Sequence, residues 1–138
     1  MACVFCDIAI RATPAHVVFD DEDFFAFLDI RPLFLGHTLL IPKRHYVTLP
    51  DVPAPLVGPL FERAQTLCET VTSELGAEGT FVAMNNVVSQ SVAHLHVHVV
   101  PRTKGDGLRG FFWPRTKYDN PEHAAEIAGR LRERYEAR

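Results

Sequence analysis

The stretch AHLHVHVVPR, residues 93–102, decides how the chain is read. His94, His96 and His98 fall at every second position, with Leu95, Val97 and Val99 in the gaps and after them. Side chains alternate across a β-strand, so the imidazoles share one face and the aliphatics the other, successive members of a row lying about 6.5–7 Å apart. Burial accounts for the aliphatic row. It does not account for a row of titratable rings, which add nothing to a core. A His-rich solvent face is the ordinary alternative. Two chemical readings fit the strict alternation better. One is a metal site made by two or three of the rings. The other is nucleophilic catalysis, with one ring attacking while its neighbours arrange charge. A neutral imidazole attacks phosphorus when its other nitrogen holds the proton in a fixed hydrogen bond. The phosphohistidine so formed needs donors around its oxygens. Just upstream, NNVVSQS offers Asn85, Asn86, Gln90 and Ser91 as polar groups next to the strand.

The totals bound what surrounds this strand. The chain has 138 residues, which suits one domain over 1–138 with its own core. Its hydrophobic content of 47% argues against disorder. A net charge of −3 with no block of Lys and Arg argues against a nucleic-acid-binding surface. No run approaches the roughly eighteen apolar residues of a membrane helix. The opening MACVFCDIAIRA lacks the charged start and apolar stretch of a signal peptide. Three cysteines do not make a disulfide framework. The expectation is a soluble, cytoplasmic protein with neither a membrane nor a nucleic-acid partner.

Working outward along the chain, HVVFDDEDFFAFLDI reads as two short strands joined by an acidic turn at Asp20 to Asp23. GHTLLIPKRH reads as a third strand stopped by Pro42. DVPAPL opens a helix with Asp51 as its cap, its prolines confined to the first turns. Leu56, Leu60, Ala64, Leu67, Val71 and Leu75 make one apolar stripe that Gly76 ends. TFVAMN is a fourth strand and HLHVHVV a fifth. Asn120 and Pro121 start a last helix with Ala124, Ile127, Leu131 and Tyr135 on one face. A run of strands with hairpin-like connections and a helix between the third and fourth predicts an α+β fold with a mostly antiparallel sheet, one long helix and a C-terminal helix.

QSVAHLHVHVVPR resembles the signature of the histidine triad superfamily, and CVFCDI, FFAFLDIRPLFLGHTLLIPKRH and the downstream WP resemble further landmarks of that family in the expected order. The resemblance implies the histidine triad fold and an enzyme that acts on nucleotides without a catalytic metal. It implies that His96 is the nucleophile, transiently nucleotidylated and then released by water as a nucleoside monophosphate. It further implies that His98 contacts the α-phosphate and that the His94 carbonyl holds the proton on the far nitrogen of His96. By the same resemblance Gln90 and Ser91 are expected to bind phosphate oxygens, or Ser91 to assist the leaving group, and one of Asn85 and Asn86 to contact the substrate. Asp29 takes the ribose hydroxyls, a role that suits a carboxylate with two acceptor oxygens. Ile30 and Phe34 are candidates for lining a permissive base pocket. A purine nucleotide is the expected substrate, with phosphoramidate cleavage ahead of dinucleoside polyphosphate hydrolysis. The resemblance also implies a homodimer with a continued sheet, in which Trp113 is expected to reach the partner's site. Where such proteins usually carry glycine before the glutamine, this chain has Ser89, and the preceding loop is short and lacks glycine. Two rival readings are a nucleotide-binding regulatory module without turnover and a hydrolase with zinc on the triad itself.

Cys3 and Cys6 form a C-x-x-C, which suits either a redox pair or half of a zinc site. A redox pair belongs between a strand and a helix, and here the motif opens the chain. In one branch of the resembled superfamily two cysteines and two histidines bind zinc, and this chain keeps all four as Cys3, Cys6, His45 and His94. The zinc so implied is structural and apart from the phosphorus chemistry. His16, His37 and His123 have no constellation around them and read as structural or exposed. KGDGLRG lacks the phosphate-loop pattern, although Arg102, Lys104 and Arg109 are placed to meet an anionic leaving group.

Overall fold

A computed structural model describes residues 2–109 and 115–138. The chain divides into two compact units, Met1–Asp106 and Gly107–Arg138. The first unit carries a five-stranded sheet in the order β1-β2-β3-β5-β4, from β1 (Val17–Asp20), β2 (Phe24–Leu28), β3 (Thr38–Pro42), β4 (Gly79–Ala83) and β5 (Val97–Arg102). Every neighbouring pair is antiparallel. With its helices this is the α+β architecture expected from the sequence.

Alternation along the strands builds two apolar layers. Phe24, Ala26, Leu40, Leu95, Val97 and Val99 face one side and pack against Leu60, Ala64, Leu67 and Val71 of the long helix α2 (Ala54–Leu75). Phe25, Phe27, Leu39 and Ile41 face the other side, against Phe5, Ile8 and Ala9 of a short helix α1 (Val4–Ala9). The sequence pattern predicts no helix at α1. Six residues are too few for propensity to declare one, and the helix is held by its apolar face. Gly76 ends α2 with φ of 70°, a left-handed cap that glycine adopts freely.

Two local expectations are corrected. Asp51 does not cap α2. Its carboxylate turns back onto Thr48, accepting from the backbone N–H at 2.9 Å and from the hydroxyl at 2.8 Å, and so closes a 3-10 turn at Leu49–Asp51. The ladder of β5 begins at Val97, not at His94. Leu40 pairs with Val97 as the last rung between β3 and β5. Beyond it the Pro42 carbonyl accepts from the His94 ring at 2.8 Å instead of from a strand backbone, and the Leu95 N–H donates to the Tyr46 carbonyl at 2.7 Å. His94 and His96 therefore ride an extended lead-in to the strand, and their side chains are buried.

In the second unit, α3 (Pro121–Glu136) starts as expected: the Asn120 side chain accepts from the His123 N–H at 2.8 Å. Its apolar face is left open, with Leu131 67% and Tyr135 69% exposed.

The connection from β4 to β5 holds two residues in a strained backbone conformation. Val87 has φ of 72° and Ser89 φ of 62°, both in the left-handed region that disfavours side chains, a β-branched one above all. Two side-chain amides hold it there. Asn86 Oδ1 accepts from the Leu49 N–H at 2.7 Å. Gln90 donates from Nε2 to the Val47 carbonyl at 2.5 Å and accepts at Oε1 from the Val87 N–H at 3.1 Å. A residue held in such a region costs about 1 kcal/mol or more. Ser89→Gly is therefore expected to raise the unfolding free energy by about 1 kcal/mol, read as a shifted urea midpoint at unchanged slope. An unchanged or lower midpoint would contradict the strain.

Candidate functional site

The sheet delivers the histidines to one place. His98 lies within β5, paired with Leu39 on β3 and Ala83 on β4. His96 sits two residues earlier on the same face, its ring 5.1 Å from that of His98. Phe5 of α1 meets His96 edge-on at 5.1 Å and His94 at 6.0 Å. The expected alternation holds: imidazoles on the α1 side, and Leu95, Val97 and Val99 on the α2 side.

Backbone groups decide which nitrogen of each ring carries its proton. A carbonyl only accepts, so the His96 Nδ1–H donates to the His94 carbonyl at 2.8 Å and the Nε2 lone pair is left bare. Likewise His94 donates from Nε2 to the Pro42 carbonyl, leaving Nδ1 bare. A backbone N–H only donates, so Leu33 N–H donates to His37 Nδ1 at 3.1 Å and puts the His37 proton on Nε2. That Nε2–H donates to His98 Nδ1 at 2.9 Å, and His98 then carries its own proton on Nε2. His96 thus presents a lone pair beside a ring that presents an N–H. The pairing is that of a nucleophile and a donor to the oxygens it would meet.

His37 departs from the expectation of a structural or exposed residue with no constellation around it. It is buried, bonded to His98 and 3.7 Å from the Asp29 carboxylate. A signal was present: His37, Leu39 and Ile41 alternate onto the face that carries the imidazoles. Asp29, His37 and His98 also bring one nitrogen or oxygen each within metal-ligand range of one another. The two nitrogens face each other head-on, 2.9 Å apart between ring centroids 5.2 Å apart, so their lone-pair directions run along the bond and not toward a common ion. Burial lowers the proton affinity of His37, against the opposing pull of Asp29. Burial, and then the charges of His96 and His37, push His98 down to about 4. Both rings are therefore neutral at physiological pH, as the bonding pattern requires.

The remaining candidates separate by what already occupies them. Asn86 uses its amide oxygen and Gln90 both ends of its amide to hold the loop, and Gln90 keeps a second amide hydrogen beyond the one given to Val47. Asn85 and Ser91 are exposed, and no side-chain hydrogen bond is drawn to them among the described residues. Asp29 Oδ1 accepts from the Arg31 N–H at 2.9 Å. Ile30 is exposed next to it. Phe34 lines a separate small cleft with Leu35, Leu75, Ala77 and Pro101. Arg102 is locked to Asp106 by paired bonds of 2.6 and 3.0 Å. Trp113 lies outside the described residues.

On the far side of His94 a second cluster forms. Cys3, Cys6, His45 and His94 bring their sulfur and nitrogen atoms within 4.8 Å of one another. His94 Nδ1 is 3.4 Å from the Cys3 sulfur and 3.5 Å from the Cys6 sulfur, and His45 Nδ1 is 3.3 Å from the Cys6 sulfur. A tetrahedral zinc with bonds of about 2.3 Å to sulfur and about 2.0 Å to nitrogen sets sulfur–nitrogen edges of about 3.5 Å. The donor set and its spacing fit zinc. The Pro42 carbonyl on the outer nitrogen of His94 is the partner that orients a ligating imidazole. The Cys6 thiol is pushed up to about 11, first by burial and then by Cys3 and Asp7, so it keeps its proton at neutral pH unless a cation takes the proton's place.

These features define a histidine-triad protein, and the comparisons agree. The family model of the HIT domain matches residues 11–105, and the chain belongs to that family. An uncharacterized HIT-like protein of Methanocaldococcus jannaschii is 38% identical over 129 residues, covering 92% of this chain and 99% of the relative. Adenosine 5'-monophosphoramidase of Saccharomyces cerevisiae is 31% identical over 120 residues, covering 86% and 73%. The crystal structure of a zinc-bound histidine triad family protein from Mycobacterium smegmatis is 38% identical, with a TM-score of 0.75, covering 100% of this chain and 99% of that one.

A depressed histidine binds its proton more weakly folded than unfolded, so the unfolded chain takes up more protons between pH 6.5 and about 4. Stability is expected to fall as pH drops through that window. His98→Asn, which keeps an acceptor for His37, is expected to flatten the fall relative to wild type in melting curves taken across it. Parallel pH profiles for the two would contradict the buried neutral His98.

Proposed function

We propose that the protein is a nucleotide hydrolase or nucleotidyl transferase of the nucleoside phosphoramidase type. It cleaves a phosphoramidate or phosphoanhydride bond at the α-phosphate of a purine nucleotide and releases a nucleoside monophosphate. The observation that carries this reading is the His96 ring, its proton fixed on Nδ1 by the His94 carbonyl at 2.8 Å and its Nε2 bare. The similarity to the yeast adenosine 5'-monophosphoramidase supports the choice of substrate.

In this reading His96 Nε2 attacks the α-phosphorus and forms a phosphorus–nitrogen bond as the amine or phosphate leaves. Water then attacks the same phosphorus and frees His96. The imidazolium character that develops on His96 is stabilised by the His94 carbonyl, already hydrogen-bonded to Nδ1. His98, its proton held on Nε2 by His37, donates to a phosphate oxygen. Gln90, Ser91 and Asn85 supply further polar contacts to phosphate and leaving group, Gln90 through the amide hydrogen that its bond to Val47 leaves free. Asp29 takes the ribose hydroxyls with the acceptor capacity that the Arg31 N–H leaves free, and Ile30 offers an apolar surface to the base. Zinc held by Cys3, Cys6, His45 and His94 is structural. The working form is a cytoplasmic homodimer. Among the described residues no helix is long and apolar enough to cross a membrane.

Intact mass of the enzyme, quenched while turning over an adenosine phosphoramidate, tests this reading. Wild type is expected to carry an added nucleotidyl mass. His96→Ala is expected to carry none and to lose at least about 1,000-fold in kcat, while still binding nucleoside monophosphate. A His96→Ala variant with wild-type turnover would remove the proposal.

A further inference from the structure

The cluster that fits zinc is open on one side and tied to the triad on the other. His45 is exposed, Cys3 and Cys6 are half-buried, and His94 is fully buried. The two cysteines stand three residues apart around the first turn of α1, and the Cys6 N–H points at the Cys3 sulfur at 3.4 Å. Both sulfurs reach the same nitrogen, His94 Nδ1. His94 in turn supplies the carbonyl that fixes the proton of His96. The surface thiols and the nucleophile's proton are thus two bonds of one residue.

We propose that Cys3 and Cys6 form a modification site at which a hydroperoxide oxidises the pair to a disulfide, expels the zinc and disables the nucleophile through His94. Only the last of these consequences rests on the proposed nucleotide chemistry. One zinc-bound thiolate attacks the peroxide, breaking its O–O bond, and becomes a sulfenic acid as the departing oxygen leaves as water. The second sulfur displaces the hydroxyl, which leaves as a second water. Two thiolates, one hydrogen peroxide and two protons give one disulfide, two waters and a free zinc ion. The sulfurs thereby lose their charge and their role as ligands.

Two contacts transmit the change. His94 keeps its bond to Pro42 but loses both sulfur partners, so its backbone is no longer clamped from two sides. Phe5, between the two cysteines in sequence, packs edge-on against His94 and His96, and a disulfide that re-angles the first turn of α1 moves it. The remaining cysteine lies elsewhere. Cys68 packs with the α2 layer, on the opposite face of the sheet.

The test treats zinc-loaded, full-length Cys68→Ser protein, with wild type in parallel, with hydrogen peroxide and a chromogenic zinc chelator. The expected result is one zinc released for each chain that becomes lighter by two hydrogen atoms, with the cross-link mapped to Cys3 and Cys6. Turnover of an adenosine phosphoramidate is expected to fall about 10-fold, and dithiothreitol followed by zinc restores it. A protein that takes up no zinc, or keeps it while oxidised, overturns the proposal. So does a disulfide with full zinc release and unchanged turnover, which breaks the link to His94. If untreated protein shows no turnover, the nucleotide reading fails by itself, and the zinc and mass readouts still decide the modification site.

Discussion

The site depends on one constraint: imidazole protons are placed by backbone groups that can act in only one direction. The carbonyls of His94 and Pro42 only accept, and the Leu33 N–H only donates. Each therefore fixes a tautomer, and the bond from His37 to His98 passes the choice on to a fourth ring. A histidine in water spends its proton on either nitrogen. Here burial holds His37, His94 and His98 in the neutral form, and geometry fixes where the single proton sits. Preorganisation of this kind costs nothing at the moment of reaction, because it was settled when the chain folded.

That settlement reaches through both layers of the fold. The aliphatic side of residues 95–99 is pinned by α2, so the imidazole side cannot rotate away. On that side α1 supplies Phe5 as a wall and Cys3 and Cys6 as partners for His94. The short helix has too few residues to stand by propensity and is held by its apolar face and by the cluster. His94 belongs to both systems at once. Its ring faces the thiols and its carbonyl holds the proton of His96, which ties the cluster at the start of the chain to the histidine face.

Much of this was legible in the sequence because it follows from period two. The alternation at His94, His96 and His98 gave the face, the aliphatic stripe at Leu60, Ala64, Leu67 and Val71 gave α2, and Gly76 gave its end. The zinc-fitting quartet was legible through the resemblance to the zinc-binding branch of the superfamily, since the C-x-x-C alone left a redox pair open. What escaped has a common cause: it depends on tertiary partners. His37 looked like a lone histidine because its partner is 61 residues away. Asp51 looked like a helix cap because nothing local shows that Thr48 will compete for it. The bond from Gln90 to the Val47 carbonyl was hidden because Val47 lies in another loop. The left-handed backbone at Ser89 was foreshadowed only by its standing where relatives usually carry glycine.

The most direct test of the central claim is the tautomer of each ring, read from nitrogen chemical shifts and long-range nitrogen–proton correlations in protein labelled at histidine. Near neutral pH the account predicts a proton on Nδ1 of His96 and on Nε2 of His37, His94 and His98, each in a single state. His96 protonated at Nε2, or averaged between its two nitrogens, would contradict it.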